Sequence, residues 1–414
     1  MIDASFDAPK RLLQFASFFR GCFTKRSYAS FVSYLSGMLL EHRRLSIQSV
    51  AAKAPLSVYG RLQYFVSESK WSTDDVNKRR LEYIQGKRAL AATADGDLII
   101  DDSACPKPYA RHTEAAEVQY AGIAGGTIRC NTFVAAVWAN QSHYFPVQIA
   151  TYRPQQGFPL GKDDPAFRSK IQLAQDLITY AIQQGIPFRD VIFDSWYLGK
   201  GFVDFLHDKD LAWISEAKGS NTVRYRHKWT RIDELAKLIP SHKFDRTVVL
   251  PTCDGKERTF RIASFDTRLK AVNYKLRCIV AVGKWDERDE DGVHVFLTNR
   301  LSVPPDEIVR RYTRRWRIED VFKELKDFLH FDQYQVRSLK AIEHMWHLAL
   351  LAHTYLQALR LEVIKLPNCK RPITLGDALA LHRCLNDEQA LRWIRRNPDL
   401  FRLIRITDQL EPES

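Results

Sequence analysis

The stretch Tyr312-Thr-Arg-Arg-Trp-Arg-Ile-Glu319-Asp-Val-Phe-Lys-Glu-Leu-Lys326 leaves few ways to fold the chain around it. Read as one helix at about 100° per residue, it lines up Tyr312, Arg315, Glu319 and Lys326 within an arc of about 60°. Ile318, Val321, Leu325 and Phe328 form an apolar stripe beside them. Such a helix packs one side on a core and presents a carboxylate among cations and a phenol at the core's edge. A solvated helix laced with ion pairs explains part of the pattern. Glu319 and Lys323 stand in the favourable i,i+4 order, worth a few tenths of a kcal/mol. It leaves unexplained why two acidic positions upstream suit a shared site.

A core for that stripe is available. Hydrophobic residues make up 45% of the chain and aromatic residues 12%, which excludes a disordered polypeptide. A length of 414 residues suggests roughly three domains. The formal net charge of +13 favours a polyanionic partner. Seven cysteines are scattered without a CxxC pair, so neither a disulfide framework nor a structural zinc site is expected. They read as small buried residues of a reducing compartment. No signal peptide opens the sequence, and the best apolar run, Leu348 to Leu359, is interrupted by His353, Tyr355 and Gln357. A soluble, cytoplasmic protein is the expectation.

Residues 1–92 read as helical. Within them, Arg43 to Lys53 and a segment from Ser57 through Phe65 flank a break at Ala54-Pro55, a pattern compatible with a DNA-binding helix-turn-helix. From Asp97 the pattern changes to strands: Leu98-Ile-Ile-Asp101-Asp102, Asn131 to Trp138, Tyr144 to Ala150 and Val191-Ile-Phe-Asp194. Helices fit Asp164 to Gln184, closed by Gly185 and Pro187, and Gly201 to His207. Residues 211–300 look like a β-rich insertion, with charged turns at Asp254 to Glu257 and Trp285 to Gly292. Pro304 and Pro305 then open the long helix that carries Glu319. The segments are therefore 1–92, helical and DNA-binding; 93–210, the first part of an α/β core; 211–300, the insertion; 301–345, the core's Glu319 helix; and 346–414, helical.

Three acidic positions stand out: the end of the Leu98 strand, Asp194 and Glu319. Strand ends of an α/β sheet are where polar groups gather at the edge of an apolar core. Carboxylates converging there repel one another unless cations lie between them, and hard oxygen ligands suit Mg²⁺ or Mn²⁺. Two such ions about 3.5–4 Å apart clamp the attacking and leaving oxygens of an in-line phosphoryl transfer.

On these residues the chain resembles the DDE transposases of bacterial insertion sequences, and is similar to the insertion-sequence-4 superfamily. Its signature spaces Tyr, Arg, Glu and Lys as Tyr312, Arg315, Glu319 and Lys326 are spaced here. The resemblance covers roughly residues 95–345. It implies a ribonuclease-H-like core with a mixed sheet and flanking helices, interrupted by the β-rich insertion. Asp194 becomes the second acid and Glu319 the third. The family's Asp-x-Ser/Thr pattern favours Asp101 as the first, with Asp102 the alternative, since neighbouring strand residues face opposite ways. Asp101, Asp194 and Glu319 would hold two Mg²⁺ or Mn²⁺ ions, and Tyr312, Arg315 and Lys326 would hold DNA phosphates. The partners implied are double-stranded DNA, as inverted repeats and target, and a second copy of the chain in a synaptic homodimer.

Two features depart from the family. His294, with Phe296 close by, stands near a position where some members carry a Trp that stacks on an extruded base. After Lys107, Pro108-Tyr109 replaces a usual Gly. The implied reaction cuts DNA at the transposon ends and joins the released 3′-hydroxyls to target DNA. A catalytically silent regulator descended from a transposase, and a metal-dependent nuclease without strand transfer, are the alternatives.

Overall fold

In the computed structural model the described residues are 8–41, 45–53, 59–122, 125–251, 257–270, 272, 274–283, 292–363 and 372–396. Arg43, Arg44, the Ala54-Pro55 break and most of the two charged turns lie outside them. In chain order come α1 (Lys10–Ser17), α2 (Lys25–Leu40), α3 (Ile47–Lys53), α4 (Tyr59–Ser67) and α5 (Thr73–Gln85). There follow β1 (Asp97–Pro106), β2 (Glu117–Ala121), β3 (Gly126–Ala139), β4 (Tyr144–Tyr152), α6 (Lys170–Gln183), β5 (Val191–Phe193), α7 (Lys200–Asp208) and β6 (Trp213–Glu216). Next are β7 (Thr222–Tyr225), β8 (Lys228–Arg231), α8 (Ile232–Leu238), β9 (Arg246–Pro251), β10 (Glu257–Thr267), β11 (Leu276–Val282) and β12 (Val293–Thr298). The last elements are α9 (Pro305–Tyr312), α10 (Trp316–Leu329), α11 (Leu339–Ala358) and α12 (Leu375–Arg396).

The chain divides into two compact units. One comprises 1–91, 105–116 and 323–414, and its described elements are almost all helices. Its core is aromatic: Trp71 stacks on Phe65 and on His344, while Phe15 meets Tyr83 and Tyr355. Helix α11 is buried along nearly its whole length because other helices surround it. No described helix is long and apolar enough to cross a membrane.

The other unit, 92–104 and 117–322, is mixed α/β. Its ten-stranded sheet runs β2-β3-β1-β5-β6-β12-β11-β10-β9, with β4 also paired to β3. Strands β1, β5 and β6 are parallel, whereas β6 to β12 and the strands beyond are antiparallel. The parallel strands lie mid-sheet, so both their faces are covered, and they accordingly read as continuous apolar runs. Strands β9 to β12 of the segment 211–300 extend this same sheet, and β7 and β8 form a separate hairpin.

Two elements differ from the sequence reading for identifiable reasons. Helix α6 begins at Lys170 instead of Asp164, because Ser169 and Gln172 form a reciprocal capping box while Asp164 turns the chain by accepting from the Ala166 N–H. Its C-terminal end is as expected, with Gly185 at φ +66°. The segment Tyr312–Lys326 is not one helix. A 3₁₀ turn, Thr313–Arg315, separates α9 from α10. Tyr312 therefore closes α9, Arg315 ends the turn, and Glu319 and Lys326 stand on α10.

Candidate functional site

The in-register pairing of β1, β5 and β6 sets the site. Ile100 lies level with Phe193, and Phe193 with Ser215. The next residue on each strand is an acid: Asp101, Asp194 and Glu216. Neighbouring strands lie about 4.8 Å apart, so three acidic positions come level across the sheet, Asp101 midway along β1 and Asp194 and Glu216 at the ends of β5 and β6.

Asp101 is the most deeply perturbed of them. Burial, and then repulsion from Asp194, push its carboxyl up to about 7 against the pull of Arg315. Burial also raises the Asp194 carboxyl, opposed by the Trp196 N–H that donates to Oδ1 at 2.8 Å and by Arg315. Asp102 belongs to a different set of contacts. It accepts from Lys170 Nζ at 2.7 Å and from the Tyr197 hydroxyl at 3.3 Å, while its N–H donates to Asp101 Oδ1. Of the adjacent pair, Asp101 is the one bonded to Arg315.

Arg315 leaves the 3₁₀ turn and bridges two acids. Its Nη1 donates to Asp101 Oδ2 at 3.1 Å and its Nη2 to Glu319 Oε1 at 2.9 Å, with Trp316 under the guanidinium. The Glu319 side chain is 42% exposed against 18% for Asp101, so Glu319 sits at the solvent edge, joined to the row through the arginine. Tyr312 is buried, and its hydroxyl donates to Glu216 Oε2 at 3.5 Å. Lys326 lies further along α10, in the part belonging to the helical unit.

Among the described residues no group of three or more His, Cys, Asp and Glu is disposed to hold a metal ion. The donor chemistry at Asp101 and Asp194 nevertheless fits a hard divalent cation. Burial raises both carboxyls, Asp194 raises Asp101 further, and Arg315 is the guanidinium that opposes both shifts.

Glu216 is absent from the sequence reading. Its signal was present: Trp213-Ile-Ser-Glu216 repeats the pattern of Leu98-Ile-Ile-Asp101 and Val191-Ile-Phe-Asp194, a short strand ended by an acid. Ser215 in place of a third apolar residue obscured it. His294, expected near a base-stacking position, gives its Nδ1 to Glu216 Oε1 at 2.8 Å and lies parallel to Phe296, which packs against Tyr312. Lys107 is committed within the helical unit, where Nζ donates to the carbonyls of Asp332 and Tyr334 and lies over the Tyr334 ring.

The opposite ends of β1 and β5 also carry acids. Asp97 is fully buried against Arg314 at 2.5 Å and Arg189 at 3.5 Å. Asp190 is fully buried among Arg300 at 2.7 Å, Arg311 at 2.8 Å and Arg189 at 3.4 Å.

Comparison with known proteins relates the chain to families, to a curated protein and to a solved structure. Residues 18–232 match a family described as DDE superfamily endonuclease. Residues 138–360 match one described as archaeal putative transposase ISC1217. A probable transposase for insertion sequence element IS701 from Microchaete diplosiphon is 22% identical over 358 residues, covering 83% of this chain and 84% of that protein. Among solved structures, the NurA nuclease from Sulfolobus solfataricus aligns over 67% of this chain and 83% of its own at 12% identity, with a TM-score of 0.25 that is too low to indicate a shared fold.

Proposed function

The chain belongs to the DDE superfamily of endonucleases, and from that premise we propose that it is a DNA transposase cutting at the inverted-repeat ends of an insertion sequence and joining the 3′-hydroxyls to target DNA. The observation that carries this reading is the pair Asp101 and Asp194, buried side by side where β5 ends against β1. The distant relationship to a probable insertion-sequence transposase supports it. The order β4-β3-β1-β5-β6, with parallel strands leading to the acids, supports a ribonuclease-H-like core.

Asp101 and Asp194, with Glu319, would hold Mg²⁺ or Mn²⁺. Divalent cations at such a site supply charge neutralisation and a stronger nucleophile at neutral pH. The protein's own groups do the positioning. A guanidinium has five N–H donors, so Arg315 can keep Asp101 and Glu319 and still reach a phosphate oxygen. Lys326 joins Arg315 in the proposed phosphate-holding set, while the Tyr312 hydroxyl is engaged by Glu216. Asp102, tied to Lys170 and Tyr197, would fix the end of β1 instead of binding the ion.

Double-stranded DNA is the proposed substrate, and helices α3 and α4 are proposed to contact it. No acid occurs between Glu41 and Glu68, and α4 turns Tyr59, Arg61, Gln63 and Tyr64 outward while Leu62, Phe65 and Val66 anchor it. Cutting and joining two ends calls for a homodimer.

The test is cleavage of DNA carrying the flanking inverted repeats, with Mg²⁺ or Mn²⁺, by wild type and Asp194→Asn. Metal-dependent nicking at the repeat ends that disappears in the variant is expected, and a joined product separates a transposase from a nuclease. Repeat binding with no cutting by either protein would overturn the assignment in favour of a regulator.

A further inference from the structure

We propose that Glu216 is a positioning residue of this site, holding the end of α9 so that the following turn presents Arg315 to Asp101. The inference rests on the reading above for what the site does, but its structural argument is separate. Three anchors pin the short segment 312–315. Tyr312 is tied to Glu216 at the end of β6, Arg314 to Asp97 at the start of β1, and Arg315 to Asp101 further along β1. The two arginine anchors are ion pairs, whereas the first depends on a phenol with a single proton. That proton goes to Glu216 Oε2, and the other carboxylate oxygen is fixed by His294 at 2.8 Å.

The surroundings make the contact directional. Glu216 lies level with Phe296 across the β6–β12 pair. Phe296 is fully buried, packs on the Tyr312 ring at a centroid distance of 4.9 Å and stacks beside His294. The apolar contact fixes where the phenol ring lies, and the carboxylate fixes where its hydroxyl points. Ser215 donates from Oγ to the Asp194 carbonyl at 3.3 Å, which ties the end of β6 to the end of β5. A carboxylate one strand beyond Asp194 thereby sets the last turn of α9, and through it the 3₁₀ turn and the reach of Arg315. Without Glu216, Phe296 still holds the ring, so the fold survives while the turn loosens.

The test compares wild type, Asp194→Asn, Glu216→Ala, Glu216→Gln, Tyr312→Phe and the Glu216→Ala/Tyr312→Phe double variant. Three readouts are used: single-turnover cleavage at saturating repeat DNA, Mn²⁺ binding by calorimetry, and amide exchange of Thr313 to Trp316. Because small misplacements of an active-site group are costly, Glu216→Ala and Tyr312→Phe should each slow cleavage about tenfold. Acting on one contact, they should be no slower together than either alone. Glu216→Gln, whose amide oxygen still accepts from Tyr312, should stay within about threefold of wild type. Amide exchange across the turn should quicken in Glu216→Ala and Tyr312→Phe, with Mn²⁺ affinity unchanged.

Additive losses, unaltered exchange, or a Glu216→Ala protein that cleaves like wild type would overturn the proposal. Loss of Mn²⁺ binding in Glu216→Ala, as in Asp194→Asn, would also overturn it by making Glu216 a metal ligand. If Glu216→Ala fails to fold, Tyr312→Phe and Glu216→Gln carry the same comparison. Failure of the functional reading is seen separately: wild type and Asp194→Asn would then bind Mn²⁺ and treat DNA alike, while the exchange data still report on the turn.

Discussion

The two ends of the central parallel strands carry acids in opposite circumstances. At the N-terminal end, Asp97 and Asp190 are wholly buried but meet Arg189, Arg300, Arg311 and Arg314. Further along, Asp101 within β1 and Asp194 and Glu216 at the ends of β5 and β6 stand level, and the partners reaching them are Arg315 on Asp101 and His294 on Glu216. Burial raises the Asp97 carboxyl to about 6 despite two arginines, and Asp101 to about 7 with one arginine and an adjacent Asp194. Cations thus outnumber acids at one end and acids outnumber cations at the other. An end with every acid paired holds the fold. An end with surplus negative charge is poised for a cation and a phosphodiester.

Removing an acid's charge at the two ends should therefore act in opposite ways. Asp194→Asn should lower cleavage by at least about 10³-fold, the loss of several kcal/mol of transition-state stabilisation. It should also raise thermal stability slightly, because repulsion with Asp101 is removed; a fall in melting temperature would break the contrast. Asp190→Ala should destabilise the protein by about 3–5 kcal/mol in chemical denaturation, since Arg300 and Arg311 lose their shared counter-ion.

A pH series sharpens the contrast at Asp101. Its carboxyl titrates near 7 in the folded protein and near 3.9 unfolded, so the folded state binds the extra proton between those values. By linkage, stability falls as pH rises from about 4 to 7, by at most about 4 kcal/mol. Asp101→Asn should remove that slope, read as the difference in melting temperature from wild type at each pH. The smallest effect is expected at Arg317, whose ion pair with Asp320 lies on α10 beside Glu319 but is nearly half exposed. Arg317→Ala should change stability by no more than about 0.5 kcal/mol. A larger loss would show that pairs outside the two strand ends also hold this unit together.

Legibility in the sequence followed burial. Strands β1 and β5 could be read because mid-sheet parallel strands are apolar on both faces. Strand β6 carries the same message in Trp213 and Ile214, but its length and Ser215 hid it. Strands β2, β7 and β8 are short, and the polar–apolar alternation of Glu117 to Tyr120 and of Thr222 to Tyr225 runs over too few residues to stand out. The expected convergence of Asp101 with Asp194 follows from strand ends that any parallel pairing of those segments would align. The place of Glu319 beside Arg315 at the core's edge followed from their i,i+4 spacing, whereas the reach of Arg315 to Asp101, on a strand far away in the chain, did not.

What the sequence determined by itself are the features encoded in nearest neighbours. These are the apolar runs that must be buried, the acids that end them, the caps at Ser169 and Gly185, and the spacing of Tyr312, Arg315, Glu319 and Lys326. What only the tertiary structure decided are relations between residues far apart in the chain. Asp97 takes Arg314, Asp101 takes Arg315, and Glu216 takes both His294 and Tyr312. An ion's partner is chosen by strand order and register, and those are fixed by burying the whole sheet at once, so no single segment carries the information.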